Sequence, residues 1–142
     1  MTYTITFNGS TISFNAKSQK DAELIKRAIN EVLTMNGFVN LDVEDVQAVT
    51  DGAEFLTVCE GTGEGDNRAE DSARDALKNM DITSAKKILI AVITGTEITL
   101  TEISGAAFTI EESCSPDAQV VWGHALDESV GDKVKTILIA AY

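Results

Sequence analysis

The sequence is poor in basic residues, and this shortage limits its partners. Only 11 of its 142 residues are lysine or arginine, against 23 aspartates and glutamates, and the formal net charge is -12. Nucleic acids and anionic membranes are bound by clustered basic side chains. The three arginines, Arg27, Arg68 and Arg74, are also few for clamping a highly charged phosphate substrate. The composition therefore predicts no nucleic-acid partner and no membrane partner.

Long apolar runs and cysteine pairs are missing as well. No run approaches the ~20 apolar residues that cross a bilayer, and residues 1–10 have no basic segment followed by an apolar one, so no secretory signal is expected. Cys59 and Cys114 are too few for a disulfide framework and are expected to be reduced. The sequence thus predicts a cytoplasmic protein, and 44% hydrophobic residues suffice for one core.

Hydrophobic periodicity predicts elements in the order ββα, a short α, then βαβαββ, which is an α/β (α+β) protein with helices packed on a sheet. TYTITF-NG-STISF alternates polar and apolar residues about Asn8-Gly9, as a β-hairpin does. Gly37 is expected to end the first long helix in a left-handed conformation. Leu100 is predicted on the buried side of the last helix, and the last two strands are predicted to be antiparallel because their loop is short. A seam near residues 36–42 divides the chain into residues 1–36, the hairpin and helix, and residues 37–142, the α/β body.

The stretch EGTGEGDNR, residues 60–68, has alternate glycines in the setting where glycine-rich loops hold phosphate. Its spacing is G-x-G-x-G, no lysine follows, and Glu60, Glu64 and Asp66 would repel a phosphate. An EF-hand calcium loop would need a preceding helix and a first aspartate. We interpret the stretch as a tight strand-to-helix turn without a metal, with Arg68 bound to nearby carboxylates.

His124 is the only histidine, and no nucleophile or acid stands at a spacing that would make it catalytic. We interpret it as a turn residue after a core strand, and Trp122 as a core residue.

The stretch NLDVED carries the best candidate site, formed by Asn40, Asp42 and Asp45 at the start of a predicted short helix. Carboxylates three residues apart lie on one helical face. The same spacing also has a structural interpretation, with Asp42 as the N-cap and Asp45 as a first-turn acid favoured by the helix dipole. On spacing alone the structural interpretation is favoured, and the functional one stays open.

The longer stretch GFVNLDVEDVQAV resembles the synergy loop of the FtsZ family, the bacterial tubulin-like GTPases of cell division. The family pattern is a glycine followed by Asn-x-Asp-x-x-Asp, matched here by Gly37, Asn40, Asp42 and Asp45. The similarity continues through GTGEGDNRAEDSARDAL, ILIAVITGTEITLTEISGA and AQVVWGHALDES to the last strand. The resemblance implies an FtsZ/tubulin C-terminal-domain-like fold, a mixed four-stranded sheet with two packed helices, preceded here by an N-terminal β-hairpin and a helix.

The family's GTP-binding N-terminal domain, with its GGGTGT-type signature, has no counterpart in these residues, so the chain is expected to have no cofactor of its own. In the family, GTP lies between two filament subunits, and the acidic loop of one subunit orients water toward the nucleotide of the other. The resemblance implies that Asp42 and Asp45 position water and that Asn40 lies near the γ-phosphate. GTP and Mg²⁺ would come from a partner subunit, so the chain alone is not expected to be an enzyme.

The expected function is that of a stand-alone FtsZ-like C-terminal domain acting by protein–protein association, docking on or capping FtsZ-type filaments. A first alternative is a self-associating structural or interaction module unrelated to GTP, in which the hairpin edge pairs with other copies. A second is a small metal-dependent hydrolase using the aspartate cluster, for which the sequence supplies neither a nucleophile nor a basic clamp.

Overall fold

A computed structural model describes all residues, 1–142. The elements in chain order are β1 (Thr2–Phe7), β2 (Ser10–Asn15), α1 (Gln19–Thr34), α2 (Val43–Thr50), β3 (Leu56–Gly63), α3 (Arg68–Leu77), β4 (Lys87–Thr94), α4 (Leu100–Glu111), β5 (Gln119–Leu126), a 3-10 turn (Glu128–Val130) and β6 (Val134–Ala141). This order and the α+β class confirm the prediction from periodicity. No helix combines the length and the apolar character needed to span a bilayer.

The main sheet has four strands in the order β3-β6-β4-β5. β4 pairs with β5 in parallel, and β6 is antiparallel to both β3 and β4. The last two strands therefore run in opposite directions as predicted, but they are not hydrogen-bonded neighbours, because β4 lies between them. β4 is buried along almost its whole length, and a strand buried on both faces belongs inside a sheet rather than at its edge.

The N-terminal hairpin forms a sheet of its own. Asn8 and Gly9 both have positive φ, 49° and 83°, as a type I′ turn requires. The register pairs Ile5 with Ile12 and Tyr3 with Phe14, so the apolar residues share one face as predicted. The opposite face carries only threonine, serine and asparagine.

Two hydrophobic clusters lie on the two faces of the main sheet. The hairpin, α1 and α2 pack on one face, and α3 and α4 pack on the other. Residues of the hairpin and α1, such as Ile12 and Ile25, thus share one core with the sheet residues Leu89 and Ile139. The division at residues 36 and 37 stays a prediction, since the two parts are joined by this core.

The glycines of EGTGEGDNR bring β3 and α3 close together. A methyl group on Gly61 would overlap the backbone of Ser72 and Ala76, and one on Gly63 would overlap the backbone of Arg68 and Ser72. β3 continues through Gly63, into the stretch of residues 60–68 that was interpreted as a turn. The alternate glycines permit close strand-to-helix packing.

Arg68 fastens three segments at the start of α3. Its Nε donates to Glu102 Oε2 at 2.9 Å, and its other nitrogens donate to the backbone oxygens of Glu97 and Asp132. The predicted contact of Arg68 with a carboxylate is confirmed, and Arg68 also forms hydrogen bonds with two backbone carbonyls. One prediction for α4 is wrong: Leu100 is 54% exposed, because it is the first residue of the helix and precedes the turn that packs on the sheet.

Candidate functional site

Asp42 and Asp45 form a capping box at the start of α2. Asp42 Oδ1 accepts a hydrogen bond from the Asp45 backbone N–H at 3.0 Å, and Asp45 Oδ2 accepts one from the Asp42 N–H at 3.0 Å. The structural interpretation of this pair is therefore correct for one oxygen of each carboxylate. The second oxygen of each has no hydrogen bond within the chain, and neither residue is in a salt bridge.

Asn40 closes the loop that precedes the helix. Its Oδ1 accepts a hydrogen bond from the Gly37 backbone N–H at 2.8 Å. Asn40 and Asp42 are exposed and Asp45 is partly exposed, so all three can be reached from solvent. The three predicted residues lie within residues 36–45, the loop and the first turn of α2, which we call the acidic loop, and their role stays a prediction. No group of three or more His, Cys, Asp or Glu side chains is arranged to hold a metal ion.

The loop lies along the free edge of β5, the outermost strand of the sheet. The backbone N–H of His124 donates to Val39 O at 2.7 Å, and that of Leu126 donates to Asn36 O at 2.8 Å. The Phe38 N–H donates to the His124 Nδ1 at 3.0 Å. We call this set of three hydrogen bonds the loop attachment. It covers an edge that would otherwise be open for strand pairing.

Two glycines make the loop attachment possible. A methyl group on Gly37 would overlap the backbone oxygen and ring of His124, and one on Gly123 would overlap the side chain of Leu41. The prediction that Gly37 ends α1 in a left-handed conformation is wrong. The helix ends at Thr34 with Met35 extended, and Gly37 is not among the positive-φ residues. Its lack of a side chain serves close contact with β5 instead.

His124 is not the turn residue that the sequence suggests. It lies within β5 and is 3% exposed. Its Nε2 is 2.7 Å from Thr94 Oγ1, and its ring lies 5.0 Å from that of Phe38, centroid to centroid. Burial lowers the pKa of His124 below its ordinary value of 6.5. Trp122, predicted in the core, is only partly buried and packs against the cluster that contains α3 and α4.

Comparison with known proteins identifies the family. The sequence profile described as "FtsZ family, C-terminal domain" matches residues 55–142, well over half of the chain. The chain belongs to the FtsZ family. Its matched region is the C-terminal domain, and the predicted resemblance is confirmed.

Curated relatives include cell division protein FtsZ 1 of Halobacterium salinarum, 30% identical over 117 residues, which are 80% of this chain and 30% of that protein. FtsZ of Haloferax mediterranei is 27% identical over 117 residues, 80% of this chain and 31% of that protein. The chain thus spans about 30% of the length of these relatives.

Solved structures agree with this assignment. An empty FtsZ dimer from M. jannaschii matches with a TM-score of 0.75 and 27% identity, covering 84% of this chain and 37% of that one. TubZ of Bacillus thuringiensis serovar israelensis, solved as GDP-form protofilaments, matches with a TM-score of 0.64 over 84% of this chain and 34% of that one. Its 11% identity shows a shared fold alone. The fold is that of the FtsZ C-terminal domain.

Sequence reasoning missed the residues that fix the loop. It found Asn40, Asp42 and Asp45, but not the part played by Gly123 and His124, which lie about eighty positions later. The available signal was the pair Gly123-His124 inside an apolar strand, because a glycine in a strand interior often marks the close approach of another backbone.

Proposed function

We propose that this FtsZ-type C-terminal domain acts by association, docking on the nucleotide-bearing face of an FtsZ-type subunit and presenting its acidic loop to the GTP held there. Asp42 and Asp45 would orient the attacking water, Asn40 would lie near the γ-phosphate, and GTP and Mg²⁺ would come from the partner. Acting as these 142 residues alone, a docked copy offers no GTP to a further subunit and therefore caps the filament.

One observation carries the proposal. The loop with Asp42 and Asp45 precedes the matched FtsZ C-terminal region and is fixed on the edge of its sheet, while one oxygen of each aspartate stays free of hydrogen bonds within the chain. A loop held in place by its own backbone does not need to be ordered at the moment of docking, which lowers the entropic cost of association. The free oxygens can accept hydrogen bonds from a water molecule beside a phosphate.

The direct experiment adds the chain to a full-length FtsZ that polymerises with GTP. We expect sedimentable polymer to fall as the chain approaches stoichiometric amounts, because each capped end stops growing. Phosphate release should continue at the capped ends. If a stoichiometric excess changes neither polymer nor phosphate release, the proposal is wrong.

Two substitutions separate a role of the aspartates in hydrolysis from their role in capping helix α2. Asp42→Asn and Asp45→Asn remove the charge but keep an oxygen that can accept the capping hydrogen bond, and asparagine is as good an N-cap as aspartate. We expect docking and the free energy of unfolding to be nearly unchanged, while phosphate release at the docked end falls by roughly 10²–10⁴-fold, as for loss of a water-orienting base. Glu44→Gln is the matched control, since Glu44 is exposed in the same first turn.

The hairpin favours a second candidate, self-association. The outer edge of β2 is partly covered, since Gln47 Nε2 donates to Thr11 O at 3.1 Å. β1 is the open edge of the hairpin, because it pairs only with β2. Residues 1–16 carry no charged side chain in a protein of net charge -12, so copies repel least at this edge. Light scattering would show a stable dimer that Thr4→Lys dissociates, because lysine on an edge strand opposes pairing. A monomer at all concentrations would exclude this candidate.

A further inference from the structure

We propose that His124 is a positioning residue whose neutral imidazole holds the acidic loop on β5, and that its protonation releases the loop. The effect of protonation on the loop does not depend on the function of the loop. Its consequence for docking rests on the proposed function above.

The hydrogen bonds around the ring fix its tautomer. Nδ1 faces the Phe38 backbone N–H, which can only donate, so Nδ1 must be the unprotonated acceptor. The proton of the neutral ring is then on Nε2, which donates to Thr94 Oγ1. Thr94 in turn donates its hydroxyl proton to Gly95 O at 2.8 Å. The chain from Phe38 through the ring to Gly95 is complete only when His124 is neutral.

Protonation breaks this chain at its first step. A proton on Nδ1 would point at the Phe38 N–H across 3.0 Å, which places two donors face to face. The Phe38 N–H would lose its acceptor, and the charged ring would stay buried with one hydrogen bond, to Thr94. Both costs disappear when residues 36–41 move away from β5 and water reaches Nδ1. Protonation therefore favours a detached loop.

No charged group in contact with the ring compensates for its protonation. The groups placed against His124 are neutral. Phe38 and Thr94 form hydrogen bonds with the ring, and Gly37 lies close to it. Val39 O accepts the His124 backbone N–H, and the small cavity beside the residue is also lined by the apolar side chains of Val32, Leu41 and Ala91. Burial alone lowers the pKa of His124, without a charged neighbour as a cause.

On the loop side, Asp42 and Asp45 each accept a backbone N–H in the capping box, and two ionisable groups on the neighbouring elements have other partners. Glu31 on α1 pairs with Lys135 of β6 at 3.0 Å, and Asp127 after β5 accepts hydrogen bonds from Ser129.

The direction of the pH effect follows from the lowered pKa. A buried histidine with a lowered pKa binds its proton more weakly than the same histidine does once the loop has detached and water reaches the ring. The loop attachment is therefore most stable above about pH 6.5, the ordinary histidine pKa. It weakens as pH falls through the interval between that value and the lowered pKa of the attached state.

Two substitutions separate the hydrogen bond that the ring accepts from Phe38 from the one that it donates to Thr94. In His124→Asn the side-chain oxygen takes the place of Nδ1 and can still accept from the Phe38 N–H, but it does not titrate. In His124→Gln the longer amide reaches toward Thr94 and leaves the Phe38 N–H without its acceptor. The two variants have the same chemical group and differ by one methylene, so each serves as the control for the other.

The experiment measures hydrogen exchange of the amides of Phe38, His124 and Leu126 from pH 8 to pH 5, as protection factors corrected for intrinsic exchange. In the unsubstituted chain we expect these factors to be constant above about pH 6.5 and to fall by about tenfold below it, the size of one lost hydrogen bond with its unsatisfied donor. His124→Asn should stay protected at every pH. His124→Gln should be weakly protected even at pH 8.

The amides of Leu138 and Ile139 in β6 report global folding and should not change. The proposal is overturned if protection in the unsubstituted chain does not depend on pH, or if His124→Asn shows the same loss at low pH. If His124→Gln fails to fold, the comparison of the unsubstituted chain with His124→Asn still decides the question.

The polymer assay then tests the consequence at the proposed site. If the unsubstituted chain affects FtsZ polymer at pH 7.5, and only His124→Asn retains that effect at pH 6, the histidine regulates docking. If both respond to pH alike, this regulation is refuted while docking stands. If neither affects polymer at any pH, the proposed function fails, and the exchange experiment still judges the loop attachment.

Discussion

Replacing two glycines by alanine should change stability in opposite directions. Gly61 lies in β3, where an added methyl group would meet the backbone of Ser72 and Ala76 well inside the 3.0 Å that real Cβ contacts essentially never cross. Backbone atoms of a helix cannot rotate away as a side chain can, so α3 must shift. Gly105 lies within α4, where the nearest atom to an added methyl is Glu70 Oε1 at 3.5 Å, an ordinary contact.

The two magnitudes follow from these environments. Forcing a methyl group into a closely packed site costs about 1–3 kcal/mol, and the shift of α3 also strains the hydrogen bond between Ser72 Oγ and Thr136 Oγ1, now 2.7 Å. We therefore expect Gly61→Ala to lower the free energy of unfolding by about 2–3 kcal/mol. Glycine in a helix interior is about 0.5–1 kcal/mol less favourable than alanine, so Gly105→Ala should raise it by about that amount.

Urea unfolding followed by Trp122 fluorescence and by circular dichroism measures both variants. The urea concentration at the unfolding midpoint should fall for Gly61→Ala and rise for Gly105→Ala. The slope of the free energy of unfolding against urea concentration should not change. A Gly61→Ala protein as stable as the unsubstituted chain would refute the close packing of β3 on α3. A clearly destabilised Gly105→Ala protein would refute the open environment assigned to that position.

Three further predictions concern charge and thiol chemistry. Lys135→Met should lower the free energy of unfolding by about 1 kcal/mol in urea, because Lys135 Nζ lies 3.0 Å from Glu31 and 3.7 Å from Glu60; unchanged stability would show that this pair does not hold α1. Burial raises the pKa of Cys59 to about 12. A disulfide reagent at pH 8 should therefore modify Cys59 at least 100-fold more slowly in the folded chain than in the urea-unfolded chain. Equal rates would contradict the burial of Cys59. Adding salt should raise the melting temperature, because a net charge of -12 repels itself, and no rise up to molar salt would contradict this.

Local sequence signals predicted most of the fold. The hairpin follows from Asn8-Gly9, whose tolerance of positive φ is a property of two residues. The start of α1 is local in the same sense, since Ser18 Oγ accepts a hydrogen bond from the Asp21 N–H only three residues later. Strand order did not follow in the same way. The position of β4 between β5 and β6 depends on contacts between distant segments, which a short loop length does not reveal.

The candidate site likewise combines local features, which the sequence predicted, with long-range contacts, which it did not. Asn40, Asp42 and Asp45 stand together in the sequence and were found there. The groups that hold their loop come from β5, so their effect is long-range. Gly37 was misinterpreted because a glycine after a helix commonly ends it in a left-handed turn, whereas here contact with His124 requires the missing side chain. His124 was misplaced because a polar residue near an acidic loop resembles a turn residue until its buried partners are known.

The acidic pair shows why geometry alone does not assign a function to these aspartates. A capping box needs acceptors at two positions three residues apart, and a pair that orients water on one helical face needs the same spacing. In this chain one oxygen of each aspartate serves the cap. The second oxygen distinguishes the two roles, since the cap does not use it. A neutral amide at either position satisfies the cap and weakens only the polarisation of water. Loss of hydrolysis without loss of stability in Asp42→Asn and Asp45→Asn would therefore identify chemistry, and unchanged hydrolysis would leave the cap as their whole role.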